Sequence, residues 1–280
     1  MISRTLLLIL LLGIFACTEQ KEEKDLVVLE LMDFNLAAQP EIGRWDERKN
    51  LILSVLQKEV LDIITLQGID VEQMAFIEAN LLNVYGLVYR SEEANPSKGM
   101  ATPILYNKNK WELVKGKTIW LSEYPKQEGA KAYKDSVSRI YTWARLKKKN
   151  GTKEVVVYNT DMRGVSPMTR YLSTRQMVME SVDKGHRPLI MTGYFGVNLE
   201  NKSMKYMLKN GFVNFKPVFP VNNYPPTFHQ GQPERSEQLK WGDYIFVQPT
   251  VEILKSQRIL YHQNEKYPSG HFPIYIKVKI

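Results

Sequence analysis

The sequence is poor in cysteine: Cys17 is the only one among 280 residues, so no intrachain disulfide can staple the fold. It contains no Gly-rich phosphate loop, which argues against a nucleotide cradled by backbone amides, and no internal repeat, which argues against a solenoid. A low-complexity linker is missing too, and nothing in the pattern divides the chain into separate domains. The apolar run near the start falls well short of the roughly 20 residues a helix needs to span a bilayer. No stripe of basic and aromatic residues marks a nucleic-acid surface, so the net charge of +8 carries no such reading by itself.

What the N-terminus does hold is a targeting pattern. Arg4 supplies a positive charge, Leu6 to Leu12 an apolar segment, and Gly13-Ile14-Phe15-Ala16-Cys17 reads as a lipobox. Residues 1–17 are therefore expected to be a lipoprotein signal peptide, with Cys17 lipidated after cleavage. Acylation also accounts for an unpaired thiol in an exported chain. Residues 18–25 (TEQKEEKD) form a polar tether, and Gln20-Lys21-Glu22-Glu23 within it resembles signals that send lipoproteins to the outer face of the outer membrane. The expected location is thus exported and membrane-anchored, on the periplasmic face or the cell surface.

The whole chain is 44% hydrophobic and 24% charged, ordinary for a folded protein, and the folded domain is expected over residues 26–280. Periodicity predicts helices over 45–58, 71–82, 167–182 and 203–209. Strands are predicted over 26–35, 62–66, 84–89, 103–106, 111–121, 141–146, 154–159, 188–192, 244–247, 251–260 and 273–278. Asn150-Gly151 predicts a two-residue hairpin turn. Helices interleaved with strands imply a single α/β domain with helices packed outside sheets.

Several short blocks follow one another in an order that resembles a known family. They are Phe34-Asn35, Leu66-Gln67, Ile140–Leu146 (IYTWARL), Asn159-Thr160, Thr192-Gly193, Thr227-Phe228-His229, Asp243–Val247 (DYIFV) and Ser269–Pro273 (SGHFP). Together with Trp45/Arg48 and Trp120–Ser122 they resemble the signature blocks of the endonuclease/exonuclease/phosphatase superfamily. The resemblance implies the deoxyribonuclease-I-like fold, a four-layer α/β/β/α sandwich with its site where loops converge at one end of two sheets. It also implies hydrolysis of phosphate esters with a divalent metal held by carboxylates.

Matched position by position, the family's Asn falls on Asn35, its last His on His271, and the Asp that bonds this His on Asp243. Its metal-binding Glu falls on Gly68. The His and Asp of the Asn159-Thr160 block fall on Asp161 and Arg163, the Asp and Asn of the Gly-Asp-Phe-Asn block on Tyr194 and Gly196, and the last Asp on Gly270. The resemblance thus implies a remnant catalytic set of His271, Asp243 and Asn35, with most metal ligands lost. Carboxylates crowded without a cation repel one another, so their replacement once metal is no longer bound makes physical sense. Tyr194 is expected to put its ring near the former metal position, with its hydroxyl on Asn35 or His271.

The expected function is a lipid-anchored binding or scaffold protein without metal-dependent phosphoester hydrolysis. No cofactor is expected, and Arg163, Asp161, Tyr194 and His229 are the candidate binding residues. Guanidinium suits phosphate geometry, so an anionic or phosphorylated ligand is the expected partner besides the membrane, with a protein partner also open and nucleic acid not indicated. The alternative is an active phosphoesterase with Mg or Mn on relocated ligands Asp33, Asp161 and Asp243. Restoring Glu, Asp and Asp at positions 68, 194 and 270 is expected to raise metal affinity if the scaffold is otherwise intact. His186 is expected to lie in a loop entering a strand, and His262 is isolated. The aromatic residues read as core rather than as a sugar platform.

Overall fold

Alternation along the first strand, β1 (Val28–Asn35), sorts its side chains onto two faces. Leu29 and Leu31 enter one core cluster, Met32 and Phe34 the other. Asp33 and Asn35 share the parity of Leu29 and Leu31, so two polar groups continue an otherwise apolar face towards the strand's end. The chain is seen in a computed structural model that describes residues 26–37, 43–182, 187–209, 213–232 and 240–280. The lipobox with Cys17, the 18–25 tether and His186 lie outside the described residues.

After β1 the elements run α1 (Trp45–Gln57), β2 (Ile63–Gln67), β3 (Ile69–Asp70), α2 (Val71–Leu81), β4 (Tyr85–Val88), β5 (Met100–Ala101), β6 (Ile104–Asn107), β7 (Trp111–Trp120), β8 (Ile140–Lys148) and β9 (Glu154–Asp161). Then come α3 (Pro167–Val182), β10 (Leu189–Tyr194), α4 (Lys202–Leu208), β11 (Lys216–Pro217), β12 (Asp243–Val247), β13 (Glu252–Arg258) and β14 (Ile274–Lys279). One sheet has the order β13-β14-β1-β2-β6-β4 and the other β11-β12-β10-β9-β8-β7, while β3 and β5 make a small ribbon.

The helices form where the sequence caps them. Asp70 accepts from the Gln73 amide at 2.8 Å while the Gln73 side chain accepts from the Asp70 amide at 3.3 Å, a capping box that starts α2. Pro167 opens α3 at a position where its missing N–H costs nothing. Ile52, Val55, Met74 and Ile77 of α1 and α2 pack on Phe34 and Leu66, outside the first sheet. Met177, Val178, Met204 and Met207 of α3 and α4 join the cluster of the second sheet, which includes Leu29, Leu31 and Ile63 of the first. The result is the expected α/β/β/α sandwich. Among the described residues no helix is long and apolar enough to cross a membrane.

One local expectation is corrected. The β8–β9 turn is not a two-residue hairpin: Lys147 pairs with Glu154, and the Lys148 amide donates to Lys153 at 2.8 Å, leaving a four-residue loop. Asn150, not Gly151, takes the left-handed conformation there, with φ 58°. The short β3–β5 ribbon and β11 have too few residues for a periodic signal and are not anticipated from the sequence.

Candidate functional site

The site is assembled from strand ends. In the first sheet Asn35 and Gln67 stand side by side at the ends of the parallel strands β1 and β2. In the second, Tyr194 at the end of β10 faces Asp161 on its parallel neighbour β9 and Asp243 on its antiparallel neighbour β12. Parallel strands deliver their carboxyl ends, and the loops beyond them, to one edge of the sandwich. His271 comes from the segment leading into β14, next to β1.

Asp243 is the hub. Its Oδ1 accepts from the Asn35 amide at 3.0 Å, and its Oδ2 accepts from His271 Nδ1 at 2.7 Å and from the Thr227 hydroxyl. The carboxylate is thus surrounded by donors, which puts the imidazole proton on Nδ1 and leaves Nε2 as the ring's acceptor. All three of Asn35, Asp243 and His271 are buried. Their backbones are tied as well: Ser269 donates its hydroxyl to the Asn35 carbonyl at 2.5 Å and accepts from the His271 amide at 3.2 Å. Arg48 of α1 donates to the carbonyls of Leu36 at 2.7 Å and Pro268 at 2.9 Å, clamping the two loops together.

Asp161 faces a different partner. Its Oδ2 pairs with the Arg163 guanidinium at 2.6 Å and accepts from the Gly68 amide at 3.2 Å, while Oδ1 accepts from the Arg163 amide at 3.0 Å. The Arg163 side chain keeps 28% of its surface exposed, so its charge remains open to solvent. Behind it, Arg139 donates to the Arg163 carbonyl at 2.7 Å and pairs with Glu92 at 3.0 Å.

Tyr194 lies between these two groups. Its ring meets the His271 ring edge to face at 5.5 Å. Burial first, then the charges of Asp243 and Asp161, push its hydroxyl pKa up to about 12, against the opposing pull of Arg170 and Arg163. The contact with His271 is therefore made by the ring: the expected hydroxyl bond to Asn35 or His271 is not formed among the described residues. Gly242 makes room for this ring, since a Cβ there would stand 2.5 Å from its Cε2.

The donor set does not fit the divalent ion that the resemblance implies. Gly68 adopts φ +64°, and a Cβ on it would meet the Ala37 backbone nitrogen at 2.5 Å and its Cα at 2.8 Å. That position therefore lacks a carboxylate and has no room for one without moving the chain. Restoring Glu at 68 is thus not the simple side-chain replacement that the sequence suggests. The relocated set Asp33, Asp161 and Asp243 is not brought together as a ligand cluster either. Among the described residues no group of three or more His, Cys, Asp or Glu side chains is placed to hold a metal.

Asp33 instead sits between the sheets. One of its oxygens accepts from Thr65 at 2.7 Å and Gln67 at 2.6 Å, and the other has no hydrogen-bond partner among the described residues. Burial, with the nearby Asp243 charge added, pushes its pKa up to about 7 in spite of the bonds from Thr65 and Gln67. Gln67 also donates to Asn159 at 2.6 Å, and Thr192 donates to Thr65 at 3.0 Å, so the polar layer links both sheets below the site. His229 is fully buried, its ring 4.0 Å from that of Phe272 and 4.9 Å from that of Tyr267. Its Nδ1 accepts from the Gly231 amide at 3.0 Å, and burial first, then His271 and Arg258, lower its pKa to about 4. It supports the His271 loop as a neutral ring. Thr227, two residues before it, was missed as a site residue although it lies in the same sequence block.

Comparison with solved structures places this geometry. An endonuclease/exonuclease/phosphatase from Bacteroides vulgatus superposes with a TM-score of 0.82 at 23% identity, over 90% of this chain and 98% of that one. The chain has the endonuclease/exonuclease/phosphatase fold. A family protein from Bacteroides thetaiotaomicron gives 0.79 at 22% identity, over 91% and 99% of the two chains. A mannosyl-6-phosphatase from the same species gives 0.78 at 23% identity, over 89% and 99%. No family model matches the sequence, and no curated protein does. The likeness lies in the fold, which carries the site to the edge where Asn35, Asp243 and His271 meet.

Proposed function

We propose that this protein binds an anionic, phosphorylated ligand at the mouth framed by Asn35, Arg163, Tyr194 and His271, and does not hydrolyse it with a divalent metal. The carrying observation is at Gly68, where the backbone conformation and the Ala37 contact exclude the metal-binding carboxylate. Arg163 supports the same reading, because a partly exposed guanidinium offers fixed positive charge and forked donors to a phosphate without a cation. The Tyr194 hydroxyl, kept protonated by a pKa pushed up to about 12, would add an O–H donor. We further propose that residues 1–17 direct export and that lipid on Cys17 anchors the protein to a membrane, on the lipobox alone.

The test is calorimetry with inorganic phosphate in EDTA, paired with turnover assays on phosphomonoesters and phosphodiesters in Mg²⁺ and Mn²⁺. Phosphate binding without metal and no turnover is the expected result. Robust metal-dependent turnover that vanishes in His271→Ala would overturn the proposal. Two observations favour that second reading, an active phosphoesterase: the Asn35–Asp243–His271 unit retains the bonding a hydrolase needs to orient its histidine, and one structural neighbour is a mannosyl-6-phosphatase.

A further inference from the structure

The end of the sandwich opposite the site carries a cluster of lysines on two loops. β1 runs from Val28 at this end to Asn35 at the site, roughly 23 Å at the usual rise per residue. The turn between β6 and β7 supplies Lys108 and Lys110, and the end of β8 with the loop after it supplies Lys147, Lys148, Lys149 and Lys153. The two loops touch, since the Lys149 amide donates to the Lys110 carbonyl at 2.9 Å. Lys148 holds its ammonium 4.9 Å from the centre of the Trp111 ring, and Lys108 donates to the Leu82 carbonyl at 2.7 Å. Lys108, Lys147 and Lys149 are exposed. Like charges gathered on one surface make a positive field that attracts an anionic partner.

The acids nearby do not balance the cluster. Asp62 is buried, and its Oδ1 accepts from Trp111 Nε1 at 2.9 Å while it pairs with Lys110 at 3.4 Å. Glu154 pairs with Arg145 at 3.9 Å and with Arg187. Glu112 stands opposite Lys147 across the β7–β8 ladder. Of the six lysines, Lys110 alone has an ion-pair partner among the described residues. Trp111, the ring beneath Lys148, is fully buried and offers no face for stacking on nucleic-acid bases.

The chain enters the domain at this same end. The Val27 amide donates to Ile280 at 3.1 Å and accepts in return at 2.9 Å, and Val28 pairs with Lys279. Only residues 18–25 separate Cys17 from Leu26, so a lipid on Cys17 is attached within about 32 Å of Leu26. A bilayer at that distance meets the lysines when this end faces it. Each lysine near anionic headgroups tightens binding by about five-fold, and the attraction fades over about 8 Å at physiological salt. We propose that this lysine end lies against anionic phospholipid headgroups, so that the end holding Asn35, Asp243 and His271 opens away from the membrane. The lysines orient the protein, and the lipid holds it there. The proposal takes its membrane from the Cys17 reading above, while the surface itself is testable without the lipid.

Vesicle sedimentation of the full chain carrying Cys17→Ser tests it, with vesicles of phosphatidylcholine alone and of an equal mixture with phosphatidylglycerol, at low and physiological salt. Binding to the mixed vesicles is expected to be about ten-fold or more tighter than to phosphatidylcholine at low salt, and to weaken as salt rises. Lys147→Glu with Lys149→Glu should reduce it by about ten-fold or more. The milder pair Lys147→Gln with Lys149→Gln should reduce it less, and decides the matter if the first pair misfolds. Lys126→Glu with Lys134→Glu makes the same change of charge on exposed lysines between β7 and β8, at the other end, and should leave binding nearly unchanged. The inference is overturned if both vesicle types bind alike, if neither binds, or if the two charge reversals weaken binding equally. Tighter binding of duplex DNA through Lys147 and Lys149 would also overturn it, and would make this a nucleic-acid surface. Fatty-acid labelling of the unmutated chain is read separately: its absence would remove the anchor, and lysine-dependent vesicle binding would still stand.

Discussion

Gly68 lies so close to Ala37 that a single added carbon would stand 2.5 Å from the Ala37 backbone nitrogen. What keeps a carboxylate from this position is therefore the path of the chain as well as the side chain. Gly68→Glu is predicted to destabilise the protein by a few kcal/mol without gaining Mn²⁺ or Mg²⁺ affinity, because it adds strain at positive φ to a backbone clash. Gly68→Ala should cost nearly as much, which separates the backbone cause from the buried charge. Thermal melts with and without metal check both. A Gly68→Glu protein stabilised by Mn²⁺ would show that the loop can reopen.

Arg163 and Asp161 form the ion pair that sets how much positive charge the mouth offers. Asp161→Asn keeps an acceptor for the Gly68 amide but frees the guanidinium, and is predicted to tighten phosphate binding several-fold. Arg163→Ala should reduce it by ten-fold or more, and Arg163→Lys should recover little because one ammonium cannot reproduce the fork. Calorimetry at two salt concentrations reads this directly, with the Asp161→Asn gain shrinking as salt rises.

Asp243 receives donors from three different segments, so its loss leaves several buried groups unpaired. Asp243→Asn turns one oxygen into a donor facing Asn35, Thr227 or His271, and is predicted to cost about 2–4 kcal/mol of stability. Asn35→Ala, which removes one donor and leaves the His271 bond, should cost about 1–2 kcal/mol. Denaturant unfolding of the two variants checks the order. Equal costs would mean that Asp243 is not the hub.

Asp33 gives a pH prediction with a definite sign. Its pKa is about 7 in the folded chain against an ordinary 3.8, so folding favours its protonated form. Stability from this group is fully present below the ordinary value, declines as pH rises between the two, and is lost above about 7. Asp33→Asn, nearly isosteric and uncharged, is predicted to stabilise the protein by a few kcal/mol at pH 8 and by little at pH 4. Urea unfolding of both proteins at the two pH values tests this. Using the difference cancels His229, whose lowered pKa works in the opposite sense, weakening the fold as pH falls from 6.5 towards about 4.

Cys17→Ser is predicted to move the protein from the membrane to the soluble fraction and to abolish fatty-acid labelling. Labelling that persists would place the lipid elsewhere, or show that the lipobox reading is wrong.

Much of the fold is written in local chemistry. Period-two alternation marked Leu29, Leu31, Met32 and Phe34 as a two-faced strand, and each of the four helices began within a residue or two of its predicted start. The family resemblance of the short blocks around Asn35, Asp243 and His271 implied that these three side chains lie together, and they do meet although 208 residues separate the first two. Periodicity failed where elements were too short to show a period, as in Lys216–Pro217 and the β3–β5 ribbon. It also could not tell a two-residue turn from the four-residue loop around Asn150.

The sequence by itself determined that positions 68, 194 and 270 bring no carboxylate, since Gly68, Tyr194 and Gly270 have none to offer. Only the tertiary structure decided what the remaining groups do, because burial and direction depend on neighbours far away in the chain. It turned Asp33 into the sandwich interior and buried His229 among aromatic rings. It pointed Asp161 at Arg163, and brought the lysines of two loops together at the opposite end. Above all, the fit of Gly68 against Ala37 could not be read from either residue: it exists only because two sheet strands run side by side and their loops share one edge.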